Sequence, residues 1–323
     1  MSHLDVVILT FNEERHIARA IESVRPVARC VFVVDSFSRD RTVEMARSLG
    51  AMVLQHEFTN QARQFQWALD NLPFEADWIL RLDADEVIEP ALREEIRKRL
   101  PTLPPEVSGV NLKRKHVFLG RWVRHGGRYP LILLRIFRKG KGRVEDRWMD
   151  EHLYVTSGRT VTFVQPFSDW NLGDLSAFTD KHNRYATREA VDVLNRRYGL
   201  FAQGEALSAA NASWQASVKR YVKESFYNRI PFPLSAGLYF LWRYIIRLGF
   251  LDGRPGLVYH FLQGYWYRFL VGARVMELER ALFGIEDKAR MREELQRITG
   301  LRLTDGNAGS APAAVQLQDR GIA

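Results

Sequence analysis

The stretch DVVILTFNEERHIARAI at residues 5–21 shows the pattern on which the fold depends. A short run of β-branched and other apolar residues leads into polar residues, and apolar residues then recur at helical spacing. The same alternation returns along the first hundred residues and predicts strands at 6–10, 31–34, 51–54 and 78–82. Strands that alternate with helices of this length form a parallel sheet with crossover helices. We therefore predict an α/β fold with a mostly parallel sheet and flanking helices.

Single residues mark where the helices of this region begin and end. Asn12 and Asp40 each precede an apolar helical pattern, so we expect both to be N-caps. Asn60 opens a third helix, and Pro90 suits the first turn of a fourth. Gly50 is expected to end the second helix.

Composition places the chain among ordinary globular proteins. Its 323 residues are 46% hydrophobic and 26% charged, which is enough for a large α/β domain with an appendage. The single cysteine, Cys30, excludes an internal disulfide framework and a cysteine-based zinc cluster, and it favours a reducing compartment. We predict neither a signal peptide nor a transmembrane helix, because no apolar run has the required flanks or length.

The net charge of +9 is concentrated in one part of the chain. Residues 113–143 contain eleven lysines and arginines and no aspartate or glutamate. A local excess of positive charge favours one basic face that docks an anionic partner over the uniformly basic surface of a nucleic-acid-binding protein. The glycine-rich part of this run, residues 125–128, is a candidate for a mobile substrate loop.

The pattern changes after the first hundred residues. Short β-like pieces separated by glycines and basic residues are predicted for 109–164, and mainly helix is predicted from about residue 172. An apolar helical stripe consists of Trp214, Val218, Tyr221, Val222 and Phe226. Residues 304–323 are small, polar and aperiodic, so we predict disorder there.

Acidic residues follow three of the predicted strands. Glu13 follows the first strand, Asp35 ends the second, and Asp83 and Asp85 follow the fourth. Ligands of open α/β sheets bind outside the carboxyl ends of the strands, so these residues are candidates for one site. Taken singly, Asp35 can be a turn residue and Glu13 a first-turn acid that complements the helix dipole.

The pair Asp83 and Asp85 points to a metal. Residues i and i+2 of an extended backbone face the same side, so the two carboxylates could share Mg²⁺ or Mn²⁺. Such an ion could stabilise a diphosphate leaving group. The alternative is a solvated turn ahead of Pro90. Further along the chain, Asp150 and Glu151 could supply a general base. Alternatively, they could belong to a charged loop that complements the positive charge of residues 113–143.

The motifs LTFNEE, VVDSFSRDRT, QARQFQWAL and WILRLDADE, in this order, resemble family 2 glycosyltransferases of the GT-A fold, a Rossmann-like α/β fold. The resemblance implies inverting transfer from a nucleotide-diphosphate sugar, with Mg²⁺ or Mn²⁺. Residues near the nucleotide would be Thr10, Phe11, Glu13, Asp35 (at the uracil of a UDP-sugar), Arg63 and Asp83 (at the ribose). Asp85, with Asp83 beside it, would bind the metal. Glu151 would be the catalytic base, with Asp150 the second candidate.

The sequence also departs from the usual motifs of the family. Leu9-Thr10-Phe11 lacks a common proline, and Asp35-Ser36-Phe37-Ser38 stands where Asp-Asp-Gly-Ser is frequent. A histidine that ligates the metal in some members is absent from residues 168–171, where Asp169 is a weak candidate. Together, the resemblance and the sequence pattern divide the chain into a catalytic domain at 1–170, a helical region at 171–303 and a tail at 304–323.

The C-terminal half resembles a bacterial subgroup that acts in lipopolysaccharide core, capsule or exopolysaccharide synthesis on lipid-linked acceptors. Residues 231–251 are apolar but contain Arg243 and Arg247, so an interfacial helix with its arginines at the headgroups is favoured over a span. Upstream cations at Lys219, Arg220, Lys223 and Arg229 would attract anionic lipid. We expect a cytoplasmic protein, peripheral at the inner face of the membrane. The alternative is that these aromatic residues pack on the catalytic domain or on a second subunit.

Two other functions remain open at this point. A sugar nucleotidyltransferase needs a glycine-rich phosphate loop after the first strand, where Asn12-Glu13-Glu14 stands instead. A non-enzymatic module that binds membrane or nucleic acid through basic and aromatic residues is the second alternative. Acidic residues at the strand ends would repel nucleic acid, so we expect no nucleic-acid partner.

Overall fold

A computed structural model describes residues 4–145, 152–201 and 231–303. Its strands are β1 (Leu4–Thr10), β2 (Cys30–Asp35), β3 (Met52–Gln55), β4 (Trp78–Asp83), β5 (Glu86–Ile88), β6 (Val107–Phe118), β7 (Arg121–Trp122), β8 (Leu131–Arg138), β9 (Gly142–Val144), β10 (Leu153–Val155) and β11 (Arg159–Trp170). Within the described residues, one nine-stranded sheet has the order β3-β2-β1-β4-β8-β6-β11-β5, and β7 pairs with β6. Strands β9 and β10 form a separate hairpin.

The helices of the first half lie beside the sheet. They are α1 (Ile17–Val24), α2 (Thr42–Ser48), α3 (Gln61–Asn71) and α4 (Pro90–Arg99). Strands β3, β2, β1 and β4 are mutually parallel, and residues such as Val7 and Ile8 are buried on opposite faces of β1. Burial of both faces is what helices on the two sides of a parallel sheet produce. The predicted α/β fold is therefore confirmed.

Two of the expected helix starts can be compared in detail. Asn60 caps α3 as expected, because its side chain accepts a hydrogen bond from Arg63 N at 2.7 Å. Asn12 is not an N-cap, and that prediction was wrong. It has a φ of 55°, its amide donates to Ser38 Oγ at 2.8 Å, and its side chain accepts from Arg39 N at 2.8 Å. Asparagine tolerates this left-handed conformation. The two hydrogen bonds of Asn12 join the loop that follows β1 to the loop that follows β2.

The second half of the sheet contains longer strands than the short pieces we expected. Strands β6 and β11 have 12 residues each and run parallel to one another, while β8 is antiparallel to both β4 and β6. Charged residues interrupt the apolar pattern of β6. They are accommodated because Arg114 and Lys115 form ion pairs with Asp169 and Glu89.

The same ion pairs correct the expectation of a single basic docking face at 113–143. Arg135 is 6% exposed and is paired with Glu86, and Arg114 and Lys115 have acidic partners. Part of the positive charge is thus neutralised inside the protein, because acidic residues distant in the sequence pack against it.

The helical region contains α5 (Leu175–Tyr198), α6 (Phe232–Leu241), α7 (Gly253–His260), α8 (Tyr267–Leu282) and α9 (Lys288–Thr299), with π-helical turns at Trp242–Ile246 and Phe261–Trp266. Apolar residues of α5, α8 and α9 form a core of their own, which includes Leu194, Leu278 and Leu295. The predicted helical character is confirmed where the chain is described. The predicted stripe at 214–226, the cations at 219–229 and the tail at 304–323 lie outside the described residues, and the division at residue 170 stays a prediction.

The apolar segment 231–251 keeps many large side chains exposed but buries one of its arginines. Arg243 is 3% exposed and its Nε donates to Gly126 O at 3.0 Å, so the expectation that it lies at lipid headgroups was wrong. Arg247 is exposed. The π-helical turn changes the side-chain direction within this segment, which a regular helical pattern does not anticipate. Across the described ranges, we find no helix that combines the length and apolar character needed to cross a membrane.

Candidate active site

Asp83 ends β4, and Ala84 and Asp85 form the turn that leads into β5, at the carboxyl end of the parallel strands. The two carboxylates have different partners. Asp83 forms ion pairs with Arg135 (Oδ2 to Nη2, 3.2 Å) and Arg81 (Oδ1 to Nε, 3.6 Å). Asp85 Oδ2 accepts a hydrogen bond from Asn171 Nδ2 at 3.1 Å. The structure therefore places both residues at the site but leaves Asp85 without a cationic ion-pair partner among the described residues.

A buried charge network holds this turn in place. Arg135 on β8 contacts both Asp83 and Glu86, and Glu86 Oε2 accepts from Asp83 N at 2.9 Å. Although burial opposes ionisation of Asp83, the charges of Arg135 and Arg81 keep its pKa below the ordinary value. Burial raises the pKa of Glu86 well above its ordinary value, even beside Arg135. The network fixes the backbone from which Asp85 projects.

Asp85 is influenced by two other carboxylates, those of Asp169 and Asp83, and by the ammonium group of Lys181. Burial, Asp169 and Asp83 together raise its pKa above the ordinary value for an aspartate. Asp169 behaves oppositely: burial opposes its ionisation, but a hydrogen bond from His116 and the charge of Arg114 lower its pKa to about 2. A cation next to Asp85 would relieve the electrostatic cost of ionising this carboxylate.

A cavity of about 960 Å³ opens in front of these groups. Its lining includes Glu13, Asp83 and Asp85 from the sequence-predicted set, and Asp169. Glu13 Oε2 contacts His16 Nδ1 at 2.6 Å, and His16 Nε2 in turn accepts from Leu172 N at 2.9 Å. The loop after β1 is thus tied to the start of the helical region.

Asp35 lies at the end of β2 and is fully buried. Oδ1 accepts from Thr10 Oγ1 at 3.1 Å and from Ser38 Oγ, while Oδ2 accepts from Ser38 N at 2.9 Å and from Gln55 Nε2 at 3.3 Å. Both oxygens are therefore engaged within the protein, and the carboxylate orders the loop that follows β2.

The remaining residues of the predicted nucleotide-binding set stand away from the cavity lining. Thr10 is buried against Asp35, and Phe11 is exposed next to it in the sequence. Arg63 lies in the first turn of α3. None of these three residues is part of the lining, so a role for them at a nucleotide stays a prediction.

The structure adds functional candidates that the sequence reasoning did not single out. Lys181 and His182 on α5 line the cavity together with Arg128 from the loop before β8. Burial opposes the charge on Lys181, but the nearby Tyr185, Asp85 and Asp169 raise its pKa. The run KHNRYATREA, which begins at Lys181, is the only sequence signal that could have drawn attention to α5.

Comparison with known proteins bears on this arrangement. The model of the family described as glycosyl transferase family 2 matches residues 5–167, just over half of the chain. The chain belongs to glycosyltransferase family 2. The resemblance, the GT-A type of α/β fold and the helical C-terminal region are thereby confirmed for this family 2 member.

Curated relatives of this glycosyltransferase family member match it over different lengths. Part of this chain is similar to an uncharacterized glycosyltransferase of Rickettsia typhi, with 40% identity over 96 residues, which are 30% of this chain and 32% of the relative. An uncharacterized glycosyltransferase of Rickettsia bellii is 42% identical over 93 residues, which are 29% of this chain and 31% of the relative. The match spans about a third of these relatives. The lipopolysaccharide core biosynthesis glycosyltransferase LpsC of Rhizobium meliloti is 26% identical over 267 residues, which is 80% of this chain and 89% of LpsC.

Among solved structures, glucosyl-3-phosphoglycerate synthase from Mycobacterium tuberculosis, in complex with Mn²⁺, UDP and glucosyl-3-phosphoglycerate, is 21% identical to this family 2 chain. The match covers 35% of this chain and 43% of the synthase, with a TM-score of 0.30.

The predicted catalytic base of this family 2 member falls in a segment that connects β9 and β10. Asp150 and Glu151 lie outside the described residues, so their assignment stays a prediction. The hairpin on either side is described: Leu153 on β10 pairs with Val144 on β9. His152 and Leu153 line the cavity.

Proposed function

We propose that this family 2 member is an inverting glycosyltransferase that moves a sugar from a UDP-sugar to a lipid-linked saccharide acceptor. The observation that carries the proposal is the Asp85 carboxylate, which lines the cavity at the carboxyl ends of parallel strands and whose pKa is raised by burial and by Asp169. Similarity to LpsC over most of the chain supports a role in lipopolysaccharide core synthesis, with capsule or exopolysaccharide as related destinations.

A divalent ion, Mg²⁺ or Mn²⁺, fits the donor atoms at Asp85. Within the described residues, no three histidine, cysteine or acidic side chains converge as a complete metal site. Mg²⁺ is commonly held by one or two carboxylates together with substrate phosphates, so an incomplete protein site is what a diphosphate donor requires. Asp85 would be the principal ligand. Asp83, the other predicted ligand, is held by Arg135 and Arg81, so Asp169 is the second candidate. When bound, the ion would supply positive charge that offsets the charge of the leaving diphosphate.

In the proposed transfer, Glu151, or Asp150 as the second candidate, accepts the proton of the acceptor hydroxyl. The hydroxyl oxygen forms a bond with the anomeric carbon, and the bond from this carbon to the diphosphate oxygen breaks with inversion. The nucleoside diphosphate leaves with the electron pair of that bond. Lys181, beside Asp85, contributes positive charge to the same part of the cavity.

We also propose that the protein binds the inner face of the cell membrane. The segment from α6 to α7 exposes large apolar side chains, which include Leu234, Leu238, Trp242, Ile245, Ile246, Phe250 and Leu251. An exposed apolar surface of this kind marks a protein or membrane interaction site. Arg247 is exposed within it and is suited to contact anionic headgroups.

The donor half of the proposal is tested without an acceptor. A panel of nucleotide sugars is incubated with the full chain and Mn²⁺, and slow hydrolysis is followed by release of the nucleoside diphosphate. We expect hydrolysis of a UDP-sugar by the wild type and by the control variant Asp70→Asn, which alters an exposed aspartate on α3. Asp85→Asn should abolish it. Hydrolysis by Asp85→Asn at the wild-type rate would show that Asp85 has no part in the proposed reaction.

A further inference from the structure

Two arginines lie beside the buried aromatic ring of Tyr259, and one of them also lines the cavity. The guanidinium carbons of Arg128 and Arg243 lie 5.4 Å and 5.8 Å from the ring centroid. Arg114, on β6, acts electrostatically on the same tyrosine. Arg114 and Arg128 also line the cavity. We call these three residues the arginine cluster.

Several polar atoms around Tyr259 are buried without a hydrogen-bond partner. Arg243 is 3% exposed, and its Nη2 has none, although its Nε bonds Gly126 O. Arg128 Nε is likewise buried without a hydrogen-bond partner. So is Nε2 of His116, whose ring centroid lies 4.9 Å from that of Tyr259. Buried donors in native proteins are nearly always satisfied, so the orphaned guanidinium nitrogens of Arg128 and Arg243, from two elements beside one ring, indicate a missing acceptor.

The charge of the arginine cluster is also incompletely balanced. Arg114 has Asp169 as a partner at 3.5 Å, a carboxylate that it shares with His116. In the described part of the chain, Arg128 and Arg243 form no ion pair with a carboxylate. Burial lowers the pKa of Arg243, which shows that its charge is poorly solvated. Buried charges are normally paired, so an anion is the expected complement.

The loop that carries Arg128 is tied to the helical region by several hydrogen bonds. Asp252 accepts hydrogen bonds from His125 N at 3.0 Å and from His125 Nδ1 at 2.7 Å. Gly126 has a φ of 64°, its amide donates to Arg247 O at 2.8 Å, and a Cβ there would lie 2.1 Å from the His260 ring. Arg128 is therefore presented by a preorganised loop, as a binding residue requires.

We propose that the arginine cluster binds a phosphoryl group carried by the acceptor substrate. Guanidinium groups donate paired hydrogen bonds to phosphate oxygens, and the unpartnered nitrogens of Arg128 and Arg243 match a group with several equivalent oxygens. The inference rests on the proposed function and adds the class of acceptor: a phosphorylated saccharide, or a saccharide whose lipid carrier supplies the phosphate.

The test measures the binding of inorganic phosphate to the full chain by isothermal titration calorimetry. We expect binding by the wild type and by Arg254→Gln, an exposed arginine on α7 near Tyr259. Arg128→Gln should weaken binding by about tenfold or more, because a charge-assisted donor is lost. Arg128→Lys keeps the charge without the fork and should bind with intermediate affinity. Equal affinity in Arg128→Gln and Arg254→Gln would overturn the proposal, as would the absence of phosphate binding by the wild type.

Further arms identify the source of the phosphoryl group. Soluble hexose 6-phosphate that binds in an Arg128-dependent manner indicates a phosphorylated saccharide. Arg128-dependent binding only to phosphatidylcholine vesicles with added phosphatidic acid indicates a lipid carrier. If UDP competes for the bound inorganic phosphate, the cluster belongs to the donor and the acceptor assignment is wrong. Donor hydrolysis by the wild type is measured in the same preparation, so that failure of the proposed function is distinguished from failure of the phosphate site.

Discussion

Replacing Arg135 tests the charge network beneath the acidic turn. Arg135→Met removes the cation that lies between Glu86, which is 1% exposed, and Asp83. Asp83 keeps Arg81 at 3.6 Å, but Glu86 is left as a buried carboxylate without its partner. Removing one partner of a buried pair costs about 3–5 kcal/mol where the remaining group stays ionised, equivalent to about two to four powers of ten in the unfolding equilibrium.

The assay is urea unfolding at about pH 7, followed by tryptophan fluorescence; Trp78 on β4 is a buried reporter. Arg97→Met is the control, because Arg97 and its partner Glu94 are both on the surface. We expect a large fall in the free energy of unfolding for Arg135→Met and no measurable change for the control.

A second substitution separates the charge from the shape of the network. Glu86→Gln in the Arg135→Met background removes the uncompensated charge and keeps an oxygen that can accept from Asp83 N. We expect the double variant to recover more than half of the lost stability.

The pH dependence of the single variant has a defined sign. Without Arg135, the pKa of Glu86 rises further in the folded state, so protonation favours folding and the loss of stability should be smaller at about pH 5 than at about pH 8. An Arg135→Met protein as stable as Arg97→Met, or a double variant no more stable than Arg135→Met, would refute the reasoning.

Three further outcomes are expected. The binding of UDP in the presence of Mn²⁺, measured by calorimetry, should weaken as the pH is lowered, and should begin to do so at a higher pH than for a site with an exposed aspartate. The reason is that burial and Asp169 raise the pKa of Asp85, whose proton the ion must displace. An affinity that does not change until the pH reaches the ordinary range of aspartate would contradict this. Glu151→Gln should retain UDP-sugar binding and lose transfer, and normal transfer by this variant with loss in Asp150→Asn would exchange the two assignments. Ile246→Glu, at a side chain that is 69% exposed, should reduce flotation with anionic liposomes without lowering Tm, and unchanged flotation would argue against contact of this surface with lipid.

The order of strands and helices was predictable from local pattern alone. Parallel strands buried on both faces require continuous apolar runs, and the helices between them require a different periodicity, so both leave a direct trace in the sequence. The position of Asp83 and Asp85 at the cavity followed from the same reasoning, because the carboxyl ends of parallel strands share one edge of the sheet.

What distinguishes Asp83 from Asp85 was decided only by tertiary structure. Arg135 reaches Asp83 from β8, which lies beside β4 in the sheet and 52 residues later in the chain. The burial of Arg243 and its approach to Tyr259 depend in the same way on a π-helical turn and on a loop more than a hundred residues earlier. Periodicity and spacing report short-range geometry, whereas these ionic environments arise from side chains that only chain folding brings together, and so the charge of the site could not be obtained from the sequence by itself.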